Sequence, residues 1–138
     1  MSKLIRLYRP VGLREWELIV QSNRRAFPPR LPEQPIFYPV LNQPYAEQIA
    51  RDWNTKTPYY IGIVTRFDLN AEYATRFERQ VVGNQTHEEM WVPAEELTEF
   101  NQHIVGQIEA LVGFIGSGYS GPDPKTLGIL DVRSVDVA

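Results

Sequence analysis

The segment Thr86-His87-Glu88-Glu89-Met90-Trp91-Val92-Pro93 holds the most informative group of residues able to do chemistry. Read as a strand, it puts alternate side chains on opposite faces. Glu88, Met90 and Val92 then share one face, and His87, Glu89 and Trp91 share the other. Two apolar members mark the first face as the core side. Glu89 is left between a histidine and a tryptophan, a setting suited to a cleft wall; the plainer alternative is a solvated carboxylate on a hairpin edge. Leu7-Tyr8-Arg9-Pro10 offers a second chemistry. An arginine just before a turn can fork onto a phosphate, or it can simply sit on the surface. In Arg24-Arg25-Ala26-Phe27-Pro28-Pro29-Arg30, three cations surround an apolar, proline-bearing loop. That loop reads either as an anion cradle or as a solvated basic loop.

Other chemistries lack their residues. The 138-residue chain has no cysteine, which excludes disulfides, thiolate zinc sites and thiol nucleophiles. Its two histidines, His87 and His103, do not make a histidine-rich metal centre. There is no G-x-G-x-x-G, no G-x-x-x-x-G-K-[ST] and no G-x-S-x-G, so Rossmann, P-loop and nucleophile-elbow readings have no support. The run Gly116-Ser117-Gly118-Tyr119-Ser120-Gly121 has no helix after it and reads as a turn rather than a phosphate loop. A net charge of −3 argues against a general nucleic-acid surface. With 43% hydrophobic and 22% charged residues the chain has ordinary globular usage, which predicts a packed domain. No apolar run approaches the roughly 20 residues a membrane-spanning helix needs. The N-terminal MSKLIRLYRPVG lacks a leader's apolar segment, and a cytoplasmic location is expected.

The elements that must position these residues follow from periodicity. Leu4 to Arg9 reads as a short strand. Leu13, Trp16, Ile19 and Val20 recur at helical spacing up to Ser22-Asn23. Six of the eleven prolines fall between Pro28 and Pro44, which predicts a structured loop with one extended piece at Ile36-Phe37-Tyr38. A helix starts near Pro44 and carries Tyr45, Ile49 and Trp53, with Glu47 and Arg51 as an i,i+4 pair. Tyr59 to Leu69 is apolar on both faces and reads as a buried strand. A helical turn follows between Ala71 and Phe77. Gln80 to Val82 and His87 to Val92 flank Gly83-Asn84-Gln85-Thr86 as a hairpin. Pro93 starts a short helix with Leu97, Phe100 and Ile104, and Ile108 to Ile115 is a late strand. The mixed order, without a βαβ rhythm, predicts α+β with two small sheets around a cleft and flanking helices. Trp16, Ile19, Ile49, Ile61, Ile63, Phe67, Met90, Val92, Ile108 and Val112 should form the core.

Three pieces in this order resemble the ADP-ribosyltransferases: Leu7-Tyr8-Arg9, then Phe37-Tyr38-Pro39-Val40 leading to Ala46 and Ala50, then His87-Glu88-Glu89-Met90-Trp91-Val92-Pro93. The third is similar to the Gln-x-Glu or Glu-x-Glu turn-strand, with Glu89 in the place of the catalytic acid and His87 two residues before it. More closely, RAFPPRLPEQPIFYPVLN, YAEQIARDWN and EEMWVPAEELTEFNQHIVG resemble small bacterial proteins of the ADP-ribosylation/crystallin-J family. The resemblance implies an ADP-ribosyltransferase-like domain over residues 1–116, with 117–138 as a C-terminal extension or edge strand. It implies cleavage of the nicotinamide–ribose bond of NAD, by transfer to an unidentified macromolecular acceptor or to water. Glu89 and His87 would be catalytic, Arg9, Tyr8, Tyr38 and Tyr45 would bind NAD, and no metal, membrane or nucleic-acid partner is expected. Arg9 would hold the pyrophosphate, and Tyr38 or Tyr45 would stack on the nicotinamide. The alternative is a nucleotide-binding or interaction module that keeps the fold without turnover. It rests on Phe37-Tyr38-Pro39-Val40 where arginine-type transferases carry Ser-Thr-Ser, and on His87.

Overall fold

Among the described residues, prolines and apolar alternation mark off seven strands and four α-helices, joined by turns and by two longer segments, 22–35 and 116–130. The structure is a computed structural model that describes residues 3–83 and 87–135. In chain order the elements are β1 (Leu4–Val11), α1 (Leu13–Gln21), β2 (Ile36–Phe37), α2 (Gln43–Asp52), β3 (Ile61–Asn70), α3 (Ala71–Ala74), β4 (Glu78–Val81), β5 (Glu88–Pro93), α4 (Leu97–Gln102), β6 (Ile104–Ile115) and β7 (Asp131–Ser134). The strands form two sheets, ordered β1-β3-β6-β7 and β2-β5-β4. All pairings are antiparallel except β6 with β7. The fold is α+β, with two sheets and several helices.

Around the first half of β3 the first sheet is covered on both faces, and the strand's sequence shows why. Ile63, Phe67 and Leu69 face the main core with Leu7, Trp16 and Ile19, whereas Val64 joins Val40, Tyr45, Ala46, Ala50, Val112 and Phe114 under α2. Two covered faces require the near-continuous apolar run that the strand carries. Gly62 lets α2 come close, because a Cβ there would lie 2.4 Å from the Ala50 carbonyl oxygen. In the main core, Phe27, Phe37, Phe67 and Phe100 meet at ring-centroid distances of 4.9–6.0 Å in tilted or edge-on pairs. Asn42 caps α2 by accepting from the Tyr45 N–H at 2.8 Å, with Pro44 in the first turn where a missing N–H costs nothing.

Several expected details differ. The central strand starts at Ile61 rather than Tyr59, because Tyr59 and Tyr60 have φ of 72° and 56° and cannot extend a strand. α2 ends at Asp52, so Trp53 falls outside the helical repeat and is 67% exposed. Arg51 pairs with Asp52 rather than Glu47, which instead accepts from Gln43 and faces Arg133. Ile104 opens β6 instead of closing the preceding helix, which ends at Gln102. Of the ten proposed core residues, Ile49 is half-buried and the other nine are buried; Val20, counted in the helical repeat of α1, is exposed. β4 and β5 pair as the hairpin reading requires, but turn residues 84–86 lie outside the described residues. After residue 116 the chain returns to the body. The Leu127 carbonyl accepts from the Trp16 indole at 2.8 Å, Ile129 is buried, and β7 adds to the edge at β6. No helix among the described residues is long and apolar enough to cross a membrane.

Candidate functional site

A single residue joins the two sheets beside the site. Val40 exchanges N–H···O bonds with Tyr8 of β1 at 2.7 and 3.0 Å, and it bridges to Glu89 of β5 on its other side. The Met90 N–H donates to the Pro39 carbonyl at 2.9 Å, and the Leu41 N–H donates to the Glu88 carbonyl at 3.1 Å. The proline-rich segment is therefore stitched along β5 and ends against β1. Proline suits such a path because it lacks the donor that a central ladder would require.

This joint borders a cleft of about 480 Å³. Arg9 of β1, Glu15 of α1, Arg30 and Tyr38 of the proline-rich segment, and Glu89 and Trp91 of β5 line it. Met90 and Val92 are fully buried, as the alternation in β5 demands, and this leaves Glu89 and Trp91 on the cleft side. Both Glu89 oxygens are fixed. Oε2 accepts from the Tyr45 hydroxyl at 2.7 Å, and Oε1 accepts from the Trp91 indole N–H at 3.2 Å. A carboxylate held by two neutral donors keeps lone pairs free for a further donor and needs no reorganisation to meet positive charge. The Tyr45 ring also stacks on His87, with centroids 4.2 Å apart and planes 6° from parallel. Tyr38 meets Trp91 edge-on at 5.8 Å.

Arg9 is nearly buried, at 8% exposure, and bound on two sides. Its Nε and Nη2 donate to Glu15 at 2.7 and 3.0 Å, and its guanidinium lies 4.6 Å from the centroid of the Phe37 ring. Such a bidentate, ring-backed pair fixes the cation in one orientation. Arg30 lies nearby without such a pairing. Its Nε is shielded from solvent and has no hydrogen-bond partner among the described residues. Burial, and next the charge of Arg9, hold the Arg30 pKa below the ordinary arginine range.

The candidates from the sequence therefore separate. Arg9, Tyr38 and Glu89 line the cleft; Tyr45 reaches it through its hydroxyl on Glu89, and His87 is stacked behind Tyr45. Tyr8 points to the other face of β1 and packs with the cluster under α2. Sequence reasoning did not single out Glu15. Its signal was an acidic residue in the first turn of the helix that directly follows the Arg9 strand, a place helices favour for acids. Arg30 was visible only as one of three cations in its loop. Among the described residues no group of three or more histidine, aspartate or glutamate side chains could hold a metal ion.

Burial, followed by the hydrogen bond and charge of Glu89, raises the Tyr45 pKa above the tyrosine value of 10.0. Above that pH the folded state keeps a proton that the unfolded state has lost. Tyr45 therefore contributes stability that is intact below pH 10 and is lost as pH rises further. In an ultraviolet absorbance titration, Tyr45→Phe should remove one phenolate from the late part of the alkaline curve. Removal of a phenol that titrates near pH 10 would contradict the Glu89 contact.

No family model matches the chain, and no curated protein and no solved structure gives a match.

Proposed function

We propose that the chain is an ADP-ribosyltransferase-like enzyme that cleaves the nicotinamide–ribose bond of NAD, passing ADP-ribose to an acceptor or to water. The observation that carries this reading is Glu89, fixed by Tyr45 and Trp91 on the wall of a cleft that also presents Arg9 and Arg30. The volume of about 480 Å³ suits a small-molecule ligand. Two sheets meeting beside that cleft are consistent with an ADP-ribosyltransferase-like fold.

The mechanism follows from the charges. As the C1′–N bond breaks, its electron pair returns to the pyridinium nitrogen and neutral nicotinamide leaves. The ribose passes through an oxocarbenium-like state, as in glycoside cleavage. Glu89, accepting from the ribose 2′-hydroxyl, stabilises that positive charge. Water or an acceptor nucleophile then attacks C1′ and releases a proton. Tyr38, beside Trp91, offers the aromatic face for nicotinamide. Tyr45 holds Glu89 instead of stacking on substrate, and His87 supports Tyr45 from behind. Arg9 faces the diphosphate from a fixed position, with Nη1 outside its two bonds to Glu15.

A second reading, a nucleotide-binding module without turnover, draws on the Arg9–Glu15 pair, because one side of the guanidinium is already occupied by a protein carboxylate. Isothermal titration with NAD tests both against a purely structural role. Micromolar binding is expected; absence of binding at millimolar NAD would overturn both.

A further inference from the structure

We infer that Arg30 is the principal grip for the diphosphate of the bound nucleotide, with Arg9 held beside it as a second, pre-aligned cation. The inference deepens the NAD reading and rests on it for the identity of the nucleotide.

The argument begins with how differently the two arginines are satisfied. Arg9 has its carboxylate: Glu15 binds Nε and Nη2, and the ion pair is largely removed from solvent, with side chains 10% and 21% exposed. Arg9 and Glu15 neutralise each other, whereas Arg30, which feels Glu15 only at longer range, makes no ion pair of its own among the described residues. Arg30 is half-buried, with its Nε shielded and unanswered among the described residues. Buried donors in folded proteins are normally answered by a protein acceptor or an ordered water, and at a cleft wall a ligand oxygen can take that place. Arg24, in the same basic stretch, behaves otherwise: its Nη2 donates to Gln107 on the surface, away from the cleft.

The position of Arg30 adds to this. It is part of the wall shared by the main cleft and a smaller cavity of about 250 Å³, together with Glu15 and Gln34. Prolines at 28 and 29 restrict the backbone just before it, so little backbone freedom remains to be lost when a ligand engages. A planar guanidinium matches two phosphate oxygens, a geometry that an ammonium group does not provide. An incoming dianion meets Arg30 directly and Arg9 beside it, which relieves the unfavourable proximity of the two cations. Glu89 lies on the same cleft and takes the ribose end, so one ligand carrying both groups spans the site.

The test uses the full chain and two probes, ADP and inorganic pyrophosphate, titrated calorimetrically at low and moderate salt. Both should bind the wild-type protein, more weakly as salt rises. Arg30→Gln should weaken both by about 10- to 100-fold, the scale of one charge-assisted contact, with its thermal melt near that of the wild type. Arg30→Lys should fall between, since it keeps the charge but loses the fork. Arg14→Gln should bind both probes like the wild type, because Arg14 lines the small cavity and not the main cleft. The inference is overturned if neither probe binds, if Arg30→Gln binds as the wild type does, or if Arg14→Gln is as damaging as Arg30→Gln. Binding of pyrophosphate without ADP would also overturn it, by assigning the seat to a free phosphate compound. None of these readouts depends on NAD cleavage. A chain that binds ADP through Arg30 but releases no nicotinamide would keep this inference and lose the catalytic one.

Discussion

Glu89→Gln is expected to reduce nicotinamide release from NAD by roughly 10²-fold or more, while NAD affinity stays within about a few-fold of the wild type. The amide keeps the length of the side chain and one oxygen acceptor, so the ground-state contact with a ribose hydroxyl survives. What it loses is the negative charge, which matters most when the ribose becomes cationic. Its NH₂ group would also face either the Tyr45 hydroxyl or the Trp91 indole N–H, both of which now donate to the carboxylate. Glu88→Gln is the internal control. Glu88 shares its face of β5 with the buried Met90 and Val92 and does not line the cleft, so its replacement should leave turnover within about two-fold. Equal losses in the two variants would mean that the facing of β5 has no bearing on chemistry.

Phe37→Ala should destabilise the fold by about 3–5 kcal/mol, the usual range for emptying an aromatic core position. Phe37 is fully buried and lies in the two-residue strand that pins the proline-rich segment to β5, with Phe37 opposite Val92. Its ring contacts Phe27 and Phe100 at 5.0 and 5.5 Å and also forms the bed of the Arg9 guanidinium. Truncation therefore opens a cavity and removes a face from a nearly buried cation. For a domain of this size the melting temperature should fall by about 10–20 °C, as followed by circular dichroism. Phe37→Leu, which refills most of the volume, should cost about 1–2 kcal/mol. A fall below about 3 °C for Phe37→Ala would show that the segment is held by other contacts.

The legible parts of the sequence were those governed by local pattern. Alternation in Glu88–Val92 fixed which residues enter the core, and the run from Ile61 to Leu69 announced a strand covered on both faces. Helix ends and strand starts were less visible, since they depend on single backbone conformations such as the positive φ of Tyr59 and Tyr60. The site divides along the same line. Glu89 could be singled out because it stands in an alternating strand, whereas Arg9 was singled out as a strand end before a turn and instead lies inside β1, which runs on to Val11. The partners that define their chemistry come from elsewhere in the chain. Tyr45 reaches Glu89 across 44 residues, and nothing in the spacing of either predicts that hydroxyl–carboxylate bond. The same alternation that brings Arg9 to the cleft turns its neighbour Tyr8 away, so naming Tyr8 as a ligand residue conflicted with the strand period. Arg30 was ambiguous for a different reason. Composition cannot distinguish a solvated cation from one whose Nε is buried with no hydrogen-bond partner among the described residues.

The central claim is that the fixed Glu89 carboxylate drives cleavage of NAD at the nicotinamide–ribose bond. The most direct test is chromatographic measurement of nicotinamide released from NAD by the purified chain, with wild type and Glu89→Gln assayed side by side at saturating NAD. Release by the wild type, reduced roughly 10²-fold or more in the variant, is the predicted result. Absence of release by the wild type, or equal release by both proteins, would contradict it.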